Sequence, residues 1–207
     1  IALGSVRARK ADAVRDRKFI HAAESMTIAS GLPMPRLYVM ESSQINAFAS
    51  GRNPENAVIC VTTGCLEKLD KQELEGVIAH EMSHVANYDI RFMTLVAVLV
   101  GLISIIAQIF LRNLWFSSHG EDNKKAGVII FVIAIVAAIL APLAAQLVSL
   151  GISRRREFTA DATAVKFTRY PSGLVNALKK IKYEHVSEQD KKRYPRAVAP
   201  LFISAPF

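Results

Sequence analysis

Two long stretches of this 207-residue sequence carry no charge, Met93 to Leu111 and Val128 to Leu150, and they restrict what the rest of the chain can build. The polar side chains are Thr94, Ser104 and Gln108 in the first, and Gln146 and Ser149 in the second. At about 1.5 Å per residue, each run is long enough as a helix to cross ~30 Å of hydrocarbon. A buried core helix is the alternative for either run, but two nearly consecutive runs favour a transmembrane hairpin. Composition points the same way. The chain is 51% apolar yet has 26 Lys and Arg against 18 Asp and Glu, a net charge of +8, which is unusual for a soluble domain.

Charge sets an orientation. Arg91 precedes the first run, Arg154, Arg155 and Arg156 follow the second, and the N-terminal segment adds Arg7, Arg9, Lys10, Arg15, Arg17 and Lys18. The connection from Arg112 to Ala126 is nearly balanced, with Arg112, Lys124 and Lys125 against Glu121 and Asp122. The strongly positive side is expected to be cytoplasmic, with the loop at Ser117 to Gly120 outside. An even number of crossings then brings the segments before and after the hairpin to the same side.

Each flanking segment carries chemistry. His80-Glu81-Met82-Ser83-His84 is an HExxH string; on a helix its histidines fall one turn apart on one face and can share a metal ion. Glu81 is rotated about 100° from His80, where its carboxylate can reach a water on that ion without ligating it. Zn²⁺ accepts neutral imidazole, keeps an open position in catalytic sites and lowers the pKa of its water to about 7. The string is short enough to arise by chance on a helix that happens to hold two histidines. Leu74, Ile78, Met82 and Val85 on the opposite side predict an amphipathic helix, one face in a core and the other on a cleft.

A third ligand must come from elsewhere, and Glu157 is the candidate. It stands in Ser153-Arg154-Arg155-Arg156-Glu157-Phe158-Thr159-Ala160-Asp161, where Glu157 and Asp161 share a helical face. Asp161 is placed to accept the free ring N–H of a ligating histidine, fixing its tautomer. Without the HExxH string the same residues read as a solvated salt-bridge pattern. The expected organisation is residues 1–91 and 152–207 as two parts of one zinc domain, interrupted by a transmembrane hairpin over residues 92–151.

The His-Glu-Met-Ser-His string followed by Asn87 and Asp89, the two apolar runs, and Ser-Arg-Arg-Arg-Glu-Phe-Thr-Ala-Asp together resemble the HtpX family of membrane-bound zinc metalloproteases. The CAAX prenyl proteases are more distantly similar. Asn46-Ala47-Phe48-Ala49-Ser50-Gly51 and Pro33-Met34-Pro35-Arg36-Leu37-Tyr38-Val39 also resemble family segments, so the likeness runs through most of the chain. It implies one Zn²⁺ per chain held by His80, His84 and Glu157, Glu81 as general base and acid, Asp161 as support, and hydrolysis of a peptide bond by a zinc-bound water. It implies a bacterial inner-membrane enzyme of stress response and quality control, cutting damaged or misfolded proteins with its site on the cytoplasmic side. Family members carry N-terminal transmembrane segments and a C-terminal His-Pro stretch; the chain opens at Ile1 and stops at Phe207, so both are expected to lie outside it. An oxyanion stabiliser lost with such a stretch typically costs ~10²–10³ in rate.

The fold class expected is α+β, mostly helical, a zincin-like metalloprotease domain with a small β-sheet. Helices are predicted over Ser5 to Ser30, Glu67 to about Arg91, Arg154 to Thr168 and Ser172 to Lys182. Short strands are predicted over Leu37 to Glu41, Asn46 to Ser50 and Ala57 to Thr62. An extended peptide substrate can add to an exposed sheet edge, and Asn46, Ala47 and Phe48 are the candidate substrate-binding residues on that edge. Periodicity alone fits a core strand equally well, with Asn46 as a turn residue.

The remaining candidates have bland readings. Cys60 and Cys65 lack partner pairs and read as reduced structural thiols. His21, His119 and His185 have no ligand-type neighbour. Basic clusters beside a bilayer suit anionic headgroups, and no nucleic-acid motif accompanies them. Two other functions fit less well. A dedicated prenyl-protein processing protease is disfavoured by the two-helix insert, and a non-catalytic zinc-containing scaffold has no use for Glu81.

Overall fold

The computed structural model describes residues 8–117, 135–136 and 154–184, so most of the second apolar run, His119 and His185 lie outside the described residues. Among these residues the chain runs β1 (Arg9–Lys10), α1 (Arg17–Ser30), β2 (Arg36–Met40), β3 (Ala47–Ser50), a short 3₁₀ turn (Pro54–Asn56), β4 (Val58–Thr62), α2 (Thr63–Lys68), α3 (Lys71–Ala86), α4 (Asp89–Ser117), α5 (Arg154–Thr168) and α6 (Pro171–Tyr183).

The strands form one mixed sheet in the order β1-β2-β4-β3. β2 and β4 are parallel, while β1 against β2 and β3 against β4 are antiparallel. Period-two alternation sends Leu37, Val39, Ala47, Ala49, Ile59 and Val61 into the main core with Phe19 of α1 and Leu74, Ile78 and Met82 of α3. Met40, Phe48 and Cys60 point the other way and pack with Tyr38 and with Met93 and Ala97 of α4. The sheet is therefore covered on both faces, and β3 is an edge strand.

Two helix predictions need correction. The first helix starts at Arg17 rather than Ser5. Ahead of it, Asp12 accepts the N–H groups of Val14 and Arg15, and Asp16 accepts from Arg9 and Asp12, holding the chain in a turn that lets Arg9 and Lys10 pair with β2. The helix predicted over Glu67 to Arg91 is three pieces. Asp70 starts α3 with a capping box, accepting from the Glu73 N–H while Glu73 accepts from the Asp70 N–H. At the other end Tyr88 adopts φ 60, a left-handed conformation costing about 1–2 kcal/mol, and the chain turns through 88° into α4.

The helices of the later segment lie where the sequence places them, α5 over Arg154–Thr168 and α6 beginning at Pro171. α6 meets α3 backbone to backbone. A Cβ on Gly76 would sit 2.6 Å from the Leu174 nitrogen, and one on Gly173 would sit 2.4 Å from the Gln72 carbonyl oxygen. The small residues let α6 clamp the N-terminal half of α3. Among the described residues no single helix is long and apolar enough to cross a membrane, whereas Lys71–Ala86 with Asp89–Ile103, bent by 88°, passes by length and composition as a pair.

Candidate metal centre

His80, Glu81 and His84 all lie on α3 and are all buried. The amphipathic expectation for this helix is corrected: Leu74 to Val85 is buried on every side except near Glu75. The sheet and α1 cover one flank, and α5 and α6 cover the others. The histidines are thus buried, while Glu157 and Asp161 on α5 are each 43% exposed.

α5 crosses α3 so that Glu157 and Asp161, one turn apart, both face His80. Glu157 Oε2 is 3.5 Å from His80 Nε2 and 3.9 Å from His84 Nε2, and the two Nε2 atoms are 3.3 Å apart. One ligand atom from each of the three residues falls within 4.8 Å of the others. A tetrahedral ion with bonds of 2.0–2.1 Å would hold its donors about 3.3–3.4 Å apart. The histidine pair already has that spacing.

The outer ring nitrogens are occupied. His80 Nδ1 pairs with Asp161 Oδ1 at 3.0 Å and His84 Nδ1 with Asp89 Oδ2 at 3.1 Å. When these nitrogens donate to the carboxylates, both Nε2 lone pairs point at each other and at the Glu157 carboxylate. Three converging electron-pair donors repel unless a cation or a proton lies between them, so the donor set fits a metal ion.

The proton affinities agree. Burial opposes charge on His80, but its hydrogen bonds to Asp161 and Glu157 outweigh that and raise its pKa to about 10. The hydrogen bond with His80 holds the Glu157 carboxyl below its ordinary value. Burial pushes Glu81 above the usual carboxylate range despite nearby His80 and His84 and a hydrogen bond from the Ala49 backbone. Among the described acids and bases of the site, Glu81 thus holds a proton more readily than an exposed glutamate.

Asp89 is a site residue that spacing along the sequence does not reveal as a partner of His84. Five residues beyond His84, it belongs to no shared helical face, and the turn at Tyr88 brings it back onto the ring. The Asn87 N–H instead closes α3 by bonding the Ser83 carbonyl. Glu81 reaches β3, since Ala49 is the strand residue that touches it. Asn46 is buried, and its amide oxygen accepts from the Ala47 N–H at 3.0 Å. The Phe48 side chain lies on the far face of the sheet with Met40 and Cys60. Cys60 and Cys65 are buried free thiols, each pushed up to about 12 by burial, and His21 pairs with Glu24 at the surface.

A helix-borne HExxH pair joined by a glutamate from a second helix, beside a mixed sheet whose edge touches the motif glutamate, defines a metallopeptidase. The chain belongs to peptidase family M48, whose family profile matches residues 13–205. It is 42% identical over 212 residues to a protease HtpX homologue of Caldanaerobacter subterraneus subsp. tengcongensis, covering all of this chain and 70% of that protein. It is 44% identical over 187 residues to a protease HtpX homologue of Dictyoglomus thermophilum, covering 90% of this chain and 60% of that protein. The chain thus spans between 60% and 70% of the length of these relatives. The crystal structure of S. mikatae Ste24p shares the fold, with a TM-score of 0.55 and 21% identity over 97% of this chain and 53% of that one.

Proposed function

We propose that the chain is the catalytic portion of a zinc-dependent endopeptidase of the membrane, which hydrolyses peptide bonds in damaged or misfolded proteins. The observation that carries this reading is the convergence of His80, His84 and Glu157 from two helices that lie far apart in sequence. Those three residues would hold one Zn²⁺. When bound, zinc supplies a lowered water pKa and polarises a carbonyl.

The chain's own residues do the rest. Glu81 takes a proton from the attacking water and returns it to the departing amine nitrogen, a role suited to a carboxylate whose pKa burial has raised. Asp161 and Asp89 fix the histidine rings. Substrate would add to β3. Thr62 donates to the Asn46 carbonyl, so alternate residues Ala47 and Ala49 turn their main-chain groups away from β4. Their N–H groups are taken by Asn46 and Glu81, which leaves their carbonyls to accept from an extended peptide. In this reading Asn46, Ala47 and Phe48 act through the shape of the strand, with Phe48 anchoring it from behind.

Residues 1–91 and 152–207 would form one domain around the site, and residues 92–151 a transmembrane hairpin. The uncharged run within α4 and the basic residues flanking it support an inner-membrane location with the site on the cytoplasmic side. The test is a matched pair, the purified protein and its Glu81→Gln variant, compared for zinc content and for cleavage of casein. Zinc retained with cleavage lost is expected. Equal cleavage by both would remove Glu81 from the reaction, and no cleavage by the unaltered protein would overturn the function.

A further inference from the structure

The first two turns of α4 reach His84, the start of α5 and the end of β3. Asp89 holds His84, Phe92 lies under the guanidinium of Arg156 at 4.3 Å, next to Glu157, and two further residues on the same helix grip the end of β3. Thr94 Oγ1 is 3.1 Å from Ser50 Oγ, accepts from the Gly51 N–H at 3.1 Å and donates to the Gly51 carbonyl at 3.3 Å. One turn earlier, Arg91 Nε donates to the Arg52 carbonyl at 2.5 Å. Beyond these contacts, this end is held by the pairing of Ser50 with Val58 of β4. β3 is four residues long and lies at an edge, with a partner on one side only.

The turn that follows is shaped for this grip. Gly51 has φ 147, and a Cβ there would meet the Asn56 carbonyl oxygen at 2.7 Å, so only glycine brings its N–H and carbonyl around to one hydroxyl. A threonine in an uncharged helix run has an easy alternative, bonding back to its own helix. Here the hydroxyl is spent on another element.

We infer that Thr94, assisted by Arg91, is a positioning residue for substrate binding: it locks the C-terminal end of β3 to α4 and so fixes the height of the Ala47 and Ala49 carbonyls above the metal ligands. The inference rests on the proposed peptidase function and on β3 as the substrate strand. Because α4 is also the apolar helix, the position of the substrate strand becomes a property of how that helix sits. Thr94 touches no reacting atom. Its loss loosens ground state and transition state together, which raises KM and leaves kcat nearly alone.

The experiment uses the purified protein in detergent, with Thr94→Val, Thr94→Ser and Ser50→Ala compared for casein KM, kcat and zinc content. Thr94→Val keeps shape and removes the hydroxyl; KM is expected to rise about three- to tenfold, the size of one or two lost hydrogen bonds, with kcat within about twofold and zinc unchanged. Thr94→Ser restores the hydroxyl and is expected to recover the original KM. Ser50→Ala removes one partner and is expected to give a smaller rise; it decides the matter if Thr94→Val does not fold. An unchanged KM in these variants, no recovery by serine, or a loss carried by zinc content overturns the inference. Failure of the peptidase function is separately visible, because the unaltered protein would then not cleave casein.

Discussion

Asp89 Oδ2 lies 3.1 Å from His84 Nδ1, reaching back across the bend between α3 and α4. Asp161 does the same for His80 at 3.0 Å, from α5. Each imidazole is thereby aimed by a carboxylate from a different helix, and His80 and His84 present their Nε2 atoms to one point. Replacing Asp89 or Asp161 with alanine is expected to weaken zinc affinity about 10–100-fold, measured by competition with a chromophoric chelator. Affinity equal to the unaltered protein would mean that packing alone orients the rings.

Glu157 is different in kind, because its side chain is 43% exposed while both histidines are buried. Its substitution removes a charge from the site and little from the core. Glu157→Gln is expected to lower zinc occupancy after dialysis and to change the melting temperature of the zinc-free protein by only a few degrees. A large stability loss with zinc retained would assign Glu157 to the fold instead.

The protonation of the site gives a pH signature in the zinc-free protein. His80, raised to about 10 by Asp161 and Glu157 against burial, contributes stability that is complete below its ordinary value near 6.5 and is lost as pH rises through about 10. Glu81, raised by burial, also loses stability as its proton leaves. Glu157, lowered by its bond to His80, contributes above its ordinary 4.5 and loses that contribution as pH falls through its shifted value. The urea midpoint in the presence of a chelator is therefore expected to fall between about pH 6.5 and 10. Saturating zinc is expected to flatten the fall, because the ion takes the lone pair that the proton held. A flat profile without zinc would show that His80 is neutral in the fold.

Local patterns in the chain made part of this site readable in advance. One-turn spacing offered His80 and His84 as a pair, and Glu157 and Asp161 as candidates only in conjunction with that pair; the fold brings the four side chains together. The three predicted strands were legible as short β-rich runs bounded by turn residues. What could not be read was set by breaks in regular structure. Asp89 reaches His84 only because Tyr88 takes a left-handed conformation, and no propensity assigns that to tyrosine. Arg9 and Lys10 join the sheet because Asp12 and Asp16 fold the segment ahead of α1, against its run of helix-compatible residues. Burial of α3 around its whole circumference between Leu74 and Val85, Glu75 apart, was also hidden, since the polar Glu73 and Ser83 are buried with Lys180 on one and the His80 carbonyl on the other.

Gly76 is the test of how tightly the motif helix is held. A methyl group there would stand 2.6 Å from the Leu174 nitrogen and 2.9 Å from its Cα, atoms that cannot swing aside as a side chain can. Relief requires α6 to move away from α3. On helix propensity alone, alanine would stabilise α3 by about 1 kcal/mol. Overpacking against backbone costs about 1–3 kcal/mol, so the net effect of Gly76→Ala is expected to be destabilising. Because His80 lies one turn further along the same helix, the shift is also expected to lower zinc affinity. Chemical denaturation and chelator competition on one preparation would measure both. A variant more stable than the original would show that the backbone contact yields easily and that α6 does not fix the height of the histidines.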